Sequence, residues 1–253
     1  MEIKVNKIYC TDCLPFMKKL PDKSIDLIFT SPPYNMRLRI SKGKYIEREK
    51  SEHFSKKYKH FSDALPINDF YKFHKACITE MLRVSKITIY NFQIVTGSKE
   101  AFFRLIGEFS KEIRDIMIWD KGFGQPAMNE RVLNSSYEFL LILEDGNLAG
   151  RKIKNATFKR GELSNVIRCK RGKKISKEHS ATFPMGLAET IIKNFSKEGD
   201  LVLDPFSGTG TVGLASLKLK RNFILIERER AYVDETIQRF KTHLKGKESV
   251  EGQ

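Results

Sequence analysis

Two segments of this 253-residue chain hold residue types, at spacings, that could do chemistry. In the first, the apolar run Ile25-Asp26-Leu27-Ile28-Phe29-Thr30 leads straight into Ser31-Pro32-Pro33-Tyr34. Two adjacent prolines fix φ and remove two backbone donors, so this turn is rigid and presents carbonyls. Ser31 adds a hydroxyl that accepts or donates. In the second, Leu201-Val202-Leu203 ends in Asp204, and Pro205-Phe206-Ser207-Gly208-Thr209-Gly210-Thr211 opens a helix. Gly208 and Gly210 let the backbone approach a ligand closely. In an open α/β sheet the ligand crevice lies at the carboxyl ends of the strands, where Asp204 and this turn would sit. Glu227 ends the next apolar run, Phe223 to Ile226, 23 residues after Asp204. A carboxylate there accepts hydrogen bonds from both hydroxyls of a ribose, although alone it reads equally as a surface acid.

The ligand of the second segment can be narrowed. A nucleoside-triphosphate loop requires G-x-x-x-x-G-K-[ST], and no lysine follows here. Gly208, Gly210 and Gly213 do satisfy the spacing of a dinucleotide fingerprint, but that match is weak. An acid at the turn suits a cationic ligand better than a pyrophosphate. Cys10 and Cys13 form an isolated C-x-x-C, and Cys77 and Cys169 supply no second pair. Zinc coordination is therefore not expected, and the cysteines read as reduced thiols.

The elements that must position these residues alternate between strand and helix, the pattern of an open, largely parallel α/β sheet. Strands are expected at residues 3–9, 25–30, 87–92, 113–119, 138–143, 201–204 and 222–227. Helices are expected at 13–20, 66–84, 99–109, 184–195, 212–219 and 231–244. Pro184 opens its helix where a missing N–H costs nothing. Two polar stretches, 35–65 and 145–180, break the alternation, and long irregular segments in a compact domain are commonly functional or disordered. The division expected is one discontinuous catalytic domain (1–144 and 178–245), a basic insert (145–177) and a flexible tail (246–253).

The formal charge is +15. Arg151 to Lys177 holds eleven Lys or Arg against the single acid Glu162, and Arg37 to Lys59 holds nine against Glu47, Glu49 and Glu52. Clustered cations gain affinity for polyanions by releasing counterions from phosphates, so nucleic acid is the expected partner. A solvated basic surface is the bland alternative. No apolar run approaches the roughly 18 residues of a membrane span, and the chain opens without the apolar stretch of a secretory signal. A cytoplasmic, membrane-free protein is expected.

Ser31-Pro32-Pro33-Tyr34 together with Asp204-Pro205-Phe206-Ser207-Gly208-Thr209-Gly210 resembles the amino-group DNA methyltransferases of bacterial restriction–modification systems. The catalytic segment precedes the cofactor segment by 173 residues, and this circularly permuted order resembles that family's β class. The resemblance covers the chain from Ile8 to about Phe240. It implies a Rossmann-like α/β methyltransferase fold with a mostly parallel, seven-stranded sheet, S-adenosyl-L-methionine as cofactor and duplex DNA as substrate. A cognate restriction endonuclease and a homodimer are partners known in the class. Cofactor contacts implied are Asp204 to Thr211 (Asp204, Pro205, Phe206, Ser207, Gly208, Thr209, Gly210 and Thr211) and Glu227 with Arg228. Two further segments resemble cofactor-lining parts of the family: Tyr9 to Leu14, with Asp12 and Cys13 beside the adenine, and His179 to Pro184, with His179, Phe183 and Pro184 along the methionine. Trp119-Asp120-Lys121 resembles a segment lining the base pocket, though a core tryptophan explains Trp119 as well. DNA contacts are assigned to Arg37, Arg39, Lys42, Lys44, Arg168, Lys170, Arg171, Lys173 and Lys174.

The resemblance explains the proline loop chemically. An exocyclic amino nitrogen is conjugated with its ring and is a poor nucleophile. Acceptors on its hydrogens, Ser31 Oγ and the Pro32 carbonyl, pull it towards tetrahedral geometry. The target must leave the duplex stack, at a cost of a few kcal/mol, and Tyr34 would stack on it. Cytosine C5 methylation needs a Pro-Cys nucleophile, and no cysteine here follows a proline. In the family, Ser at the first loop position favours N4 of cytosine, whereas Asn35 after the tyrosine points to N6 of adenine; cytosine is the expected base. Methylation of protein glutamine or RNA is a rival, as is a non-enzymatic DNA-binding module.

Overall fold

The computed structural model describes residues 4–41, 44–47, 63–125, 130–146, 150–170 and 183–251. Its strands are β1 (Lys7–Cys10), β2 (Ile25–Thr30), β3 (Leu38–Ser41), β4 (Lys44–Glu47), β5 (Ser85–Phe92), β6 (Ile113–Gln125), β7 (Ser135–Leu143), β8 (Val166–Arg168), β9 (Leu201–Asp204) and β10 (Asn222–Glu227). Its helices are α1 (Cys13–Met17), α2 (Ile67–Val84), α3 (Lys99–Glu108), α4 (Met185–Phe195), α5 (Thr211–Lys218) and α6 (Arg230–Glu251).

One sheet runs β1-β10-β9-β2-β5-β7-β6-β8, and β3 and β4 form a separate hairpin. Eight strands stand where seven were expected, because the short edge strand β8 adds to β6 through Ile118↔Val166, Trp119↔Ile167 and Asp120↔Arg168. Neighbours pair in parallel except β5–β7 and β7–β6, which are antiparallel. β2 and β9 lie side by side, with Ile28 opposite Leu203, and the chain winds outward from them in opposite directions. A ligand crevice is expected at the carboxyl ends of strands at such a switch point.

Burial on both faces explains why the central strands are apolar throughout. In β2, Ile25 and Ile28 face a core shared with α1, α2 and α3, while Leu27 and Phe29 face one shared with α4 and α5. Apolar residues of α2 recur at helical spacing, Phe70, Cys77, Ile78 and Met81, and all are fully buried. On α4 the buried stripe is Leu187, Ala188, Ile191, Ile192 and Phe195. Truncating Phe195 to Ala would cost about 3–5 kcal/mol, the usual range for a buried phenylalanine.

The basic stretch expected as an insert splits in two. Ile153, Ala156, Phe158 and Leu163 pack onto the α4–α5 core, with the Phe158 ring 5.6 Å from Phe195. Glu144 anchors this run by accepting from the backbone N–H groups of Lys154 (3.0 Å) and Asn155 (2.8 Å). The later part carries β8. α6 continues to Glu251, so most of the segment read as a tail is helical. Among the described residues no helix is long and apolar enough to cross a membrane.

Candidate active site

Ser31 leaves β2 one residue after Thr30, and Thr30 Oγ1 donates to Asp204 Oδ1 at 2.7 Å. Phe206 N–H donates to the same oxygen at 3.1 Å. The proline loop and the glycine turn, 173 residues apart in sequence, are thus joined by one side-chain bond at the switch point. Asp204 is buried, and burial lifts its carboxyl from 3.8 to about 7, with the neighbouring Glu227 adding to the rise. Burial raises the Glu227 carboxyl too. Glu227 closes the turn by accepting from Gly208 N–H (2.9 Å) and Glu229 N–H (2.8 Å). Gly208 and Gly210 both adopt positive φ (51° and 76°), and a Cβ on Gly210 would meet Thr236 Cγ2 at 2.4 Å. Ser207 Oγ is buried without a partner among the described residues. From behind, Arg239 Nη1 donates to the Thr209 carbonyl, to Thr209 Oγ1 (2.9 Å) and to Thr211 Oγ1 (3.3 Å).

The catalytic loop is stapled by Asn35, which sits fully buried at φ 60°. Its Nδ2 donates to the carbonyls of Leu65 and Gly97, both at 2.9 Å, and its Oδ1 accepts from Leu65 N–H at 2.7 Å. Gly97 is glycine of necessity, because a Cβ there would lie 2.2 Å from the Asn35 carbonyl oxygen. Asp63 Oδ1 accepts from Met36 N–H at 3.1 Å, and burial raises its carboxyl to about 6. Asn35 is therefore a structural anchor of this loop.

Tyr34 has a second use that the sequence reading missed. Its hydroxyl lies 2.6 Å from Ser31 Oγ and donates to Glu138 Oε2 at 3.1 Å. Burial first, then the Glu138 charge, push its phenol well above the ordinary value, so it keeps its proton. Asn91 Nδ2 faces the Tyr34 hydroxyl, Glu138 Oε2 (2.7 Å) and Ser31 Oγ (3.3 Å). Lys121 Nζ pairs with Glu138 Oε1 at 3.3 Å, and both side chains are buried. Asn91, Glu138 and Lys121 were not foreseen as a group, though the signal existed: each is a polar residue at an inward position of a largely apolar strand.

Several expected contacts fall elsewhere. Cys13 is buried in the core against Cys77 of α2, so its thiol packs with the helices. Phe183 stacks on Phe29 at 4.5 Å and meets the Trp119 ring at 6.2 Å, which makes both Phe183 and Trp119 core residues. Trp119 Nε1 donates to the Cys169 carbonyl at 2.7 Å. Pro184 caps α4 and is buried. Asp12 is exposed and pairs with Arg228 at 3.2 Å beside the Glu227 strand end. Phe206 packs edge-on to Phe73 at 6.1 Å. His179, Lys42, Arg171, Lys173 and Lys174 lie outside the described residues, as does the Arg39 side chain. Lys44 is exposed at the start of β4, and Arg37 is half-buried with its N–H on the Asp63 carbonyl. Arg168 and Lys170 are exposed where β8 ends, and β8 runs parallel to β6, so they emerge on the carboxyl edge that also bears Ser31 and Asp204.

Known proteins give the same reading. The family described as DNA methylase, of the N6/N4 type, matches residues 25–238. The chain is 30% identical over 249 residues to the Type II methyltransferase M.HinfI of Haemophilus influenzae, covering 91% of this chain and 67% of that one. It is 28% identical over 249 residues to the Type II methyltransferase M2.MboI of Moraxella bovis, covering 92% and 86%. Among solved structures, PvuII DNA methyltransferase (cytosine-N4-specific) superposes with a TM-score of 0.67 at 18% identity, covering 92% of this chain and 86% of that one, a likeness of fold. With its proline loop bonded to its glycine turn and the match running across both, the chain belongs to the N6/N4 DNA methylase family.

Proposed function

We propose that this chain methylates N4 of cytosine, extruded from duplex DNA, through the Ser31–Tyr34 loop. The observation that carries the chemistry is the 2.7 Å bond between Thr30 and Asp204, which holds the base-side loop against the cofactor-side turn. The methyl donor of this DNA methyltransferase is S-adenosylmethionine. The lining at the turn suits it: buried Asp204 and Glu227 and the unpartnered Ser207 Oγ form an acceptor-rich surface for a ligand with ribose hydroxyls, an ammonium and a positive sulfur. When bound, that sulfonium supplies an activated methyl group.

This chain's own groups do the rest by positioning and electrostatics. Ser31 Oγ and the Pro32 carbonyl accept from the amino hydrogens, freeing the nitrogen lone pair. The prolines hold both acceptors on a loop that Asn35 and Asp63 pin from behind. The ring of Tyr34 packs on the flipped base. Arg168 and Lys170, on the same edge, and Lys44, exposed on the β3–β4 hairpin, hold the DNA backbone.

Cytosine rests on Ser31, a short neutral residue at the first loop position. Adenine N6 is the alternative, because adenine presents the same edge to the loop: an amino group beside a ring acceptor, N6 beside N1, as cytosine has N4 beside N3. Mass spectrometry of nucleosides from DNA methylated by the pure protein separates the two. N4-methylcytosine supports the proposal, and N6-methyladenine without N4-methylcytosine refutes it.

A further inference from the structure

Resting on that reading, we infer that Glu138 is a positioning residue which, through Tyr34, fixes the direction of the Ser31 hydroxyl so that the loop presents an acceptor to the base. Four side chains lie in a row on one face of the sheet, towards the edge at which the parallel strands end and the antiparallel β7 begins. Ser31 follows β2, Asn91 is in β5, Glu138 in β7 and Lys121 in β6, in the order β2-β5-β7-β6. All four share the face of Phe29, Ile89, Leu140 and Trp119, the α4–α5 side. The row is continuous in hydrogen bonds from Lys121 to Glu138 (3.3 Å), to Tyr34 (3.1 Å), to Ser31 (2.6 Å).

The directions of the protons follow from the ends. Lys121 has donors only, and Glu138, paired with it, has acceptors only. Tyr34 keeps one proton, and with Glu138 as its acceptor that proton points away from Ser31. The 2.6 Å contact then leaves Ser31 to donate to the Tyr34 oxygen, which turns its lone pairs outward. Asn91 supports this arrangement. Its Nδ2 faces three oxygens with two protons, and it keeps this orientation because its Oδ1 in the same place would oppose the Glu138 carboxylate. The cost is visible, since Asn91 Oδ1 is buried without a partner among the described residues. A buried ion pair is seldom favourable against apolar residues of equal volume, so its place at the end of a chain leading to Ser31 argues for orientation rather than stability.

The test is Glu138→Gln in the full-length protein, with Tyr34→Phe as the second variant. A glutamine can donate from the site of Glu138 Oε2, which reverses the chain: Tyr34 donates to Ser31, and the Ser31 proton turns towards the base. Steady-state methylation of duplex DNA should show kcat lowered roughly tenfold to a hundredfold with the cofactor Kd within error of wild type, while the thermal midpoint falls because the buried Lys121 charge loses the Glu138 carboxylate. Tyr34→Phe should lower kcat comparably, and the double variant should be no worse than the poorer single, because both cut one chain. Unchanged kcat in Glu138→Gln, or additive losses in the double variant, overturns the inference. Should Glu138→Gln not fold, an unchanged kcat in Tyr34→Phe overturns it alone. Wild-type protein that methylates no DNA would instead defeat the function on which the inference rests.

Discussion

Replacing Asp204 by Asn should make the ligand-free protein more stable while removing its cofactor affinity. The folded carboxyl ionises at about 7 against 3.8, a gap of about three pH units. At 1.36 kcal/mol per unit this corresponds to about 4 kcal/mol. The sign follows from the raised value. Below about pH 4 both folded and unfolded carboxyls are protonated and no penalty exists. Between about pH 4 and 7 the unfolded chain ionises first, so stability falls as pH rises, and above about pH 7 the full penalty stands. An amide never ionises. With its oxygen where Thr30 and Phe206 both donate, Asp204→Asn keeps both bonds and escapes the penalty. For a chain of this size about 2 °C accompanies each kcal/mol, so the variant should melt up to about 8 °C higher at pH 8 and alongside wild type at pH 4. Differential scanning calorimetry without cofactor across that range measures the gap. Added S-adenosylmethionine should then raise the wild-type midpoint and leave the variant unmoved. A constant gap at every pH, or a variant that melts below wild type at pH 8, refutes the reasoning.

Further outcomes follow from the same geometry. Ser31→Ala should lower kcat by about 10²–10³-fold with little change in the Kd for DNA, because it removes an acceptor used as the amino nitrogen reacts; stopped single-turnover assays measure this. Asn35→Ala should destabilise the fold by about 1–3 kcal/mol in chemical denaturation, since it leaves buried backbone groups of Leu65 and Gly97 unpaired. Arg168→Ala with Lys170→Ala should flatten the slope of log K against log salt by about 1.8, at roughly 0.9 per phosphate contact, and an unchanged slope in fluorescence anisotropy would remove both from the interface.

Much of the fold was legible where one strand carried its whole signal. β2, β9 and β10 begin and end where expected because each is an apolar run closed by a polar residue: Thr30 before the prolines, Asp204 and Glu227. β1 starts at Lys7 rather than residue 3, since Asn6 takes φ 57° and breaks the extended backbone. β6 runs on to Gln125 past Gly122 at φ 75°, with a register shift between Asp120 and Gln125 that apolar alternation does not announce. β8 is three residues long, too short for any periodicity, and so the eighth strand was invisible. The hairpin of β3 and β4 lies in a stretch dominated by charge. Of the site, the two loops were readable as local motifs. Lys121 was reached only within the Trp119-Asp120-Lys121 segment, and Glu138 and Asn91, though polar in apolar strands, could not be joined to it, because their grouping comes from the lateral order of four strands rather than from their neighbours in sequence. Asp12 and Cys13 show the converse: adjacent in sequence, one pairs with Arg228 beyond the end of β10 and the other lies in the helical core.

The central claim, that Ser31 and the Asp204 turn act together to methylate an amino group in DNA, is tested most directly by isotope. Wild-type protein, Ser31→Ala and Asp204→Asn would be incubated with methyl-labelled S-adenosylmethionine and unmethylated duplex, and the nucleosides resolved by mass. The account predicts label on an exocyclic amino nitrogen with wild type, and little or none with either variant. Label on a ring carbon, on protein or on RNA alone, or equal labelling by all three proteins, would contradict it.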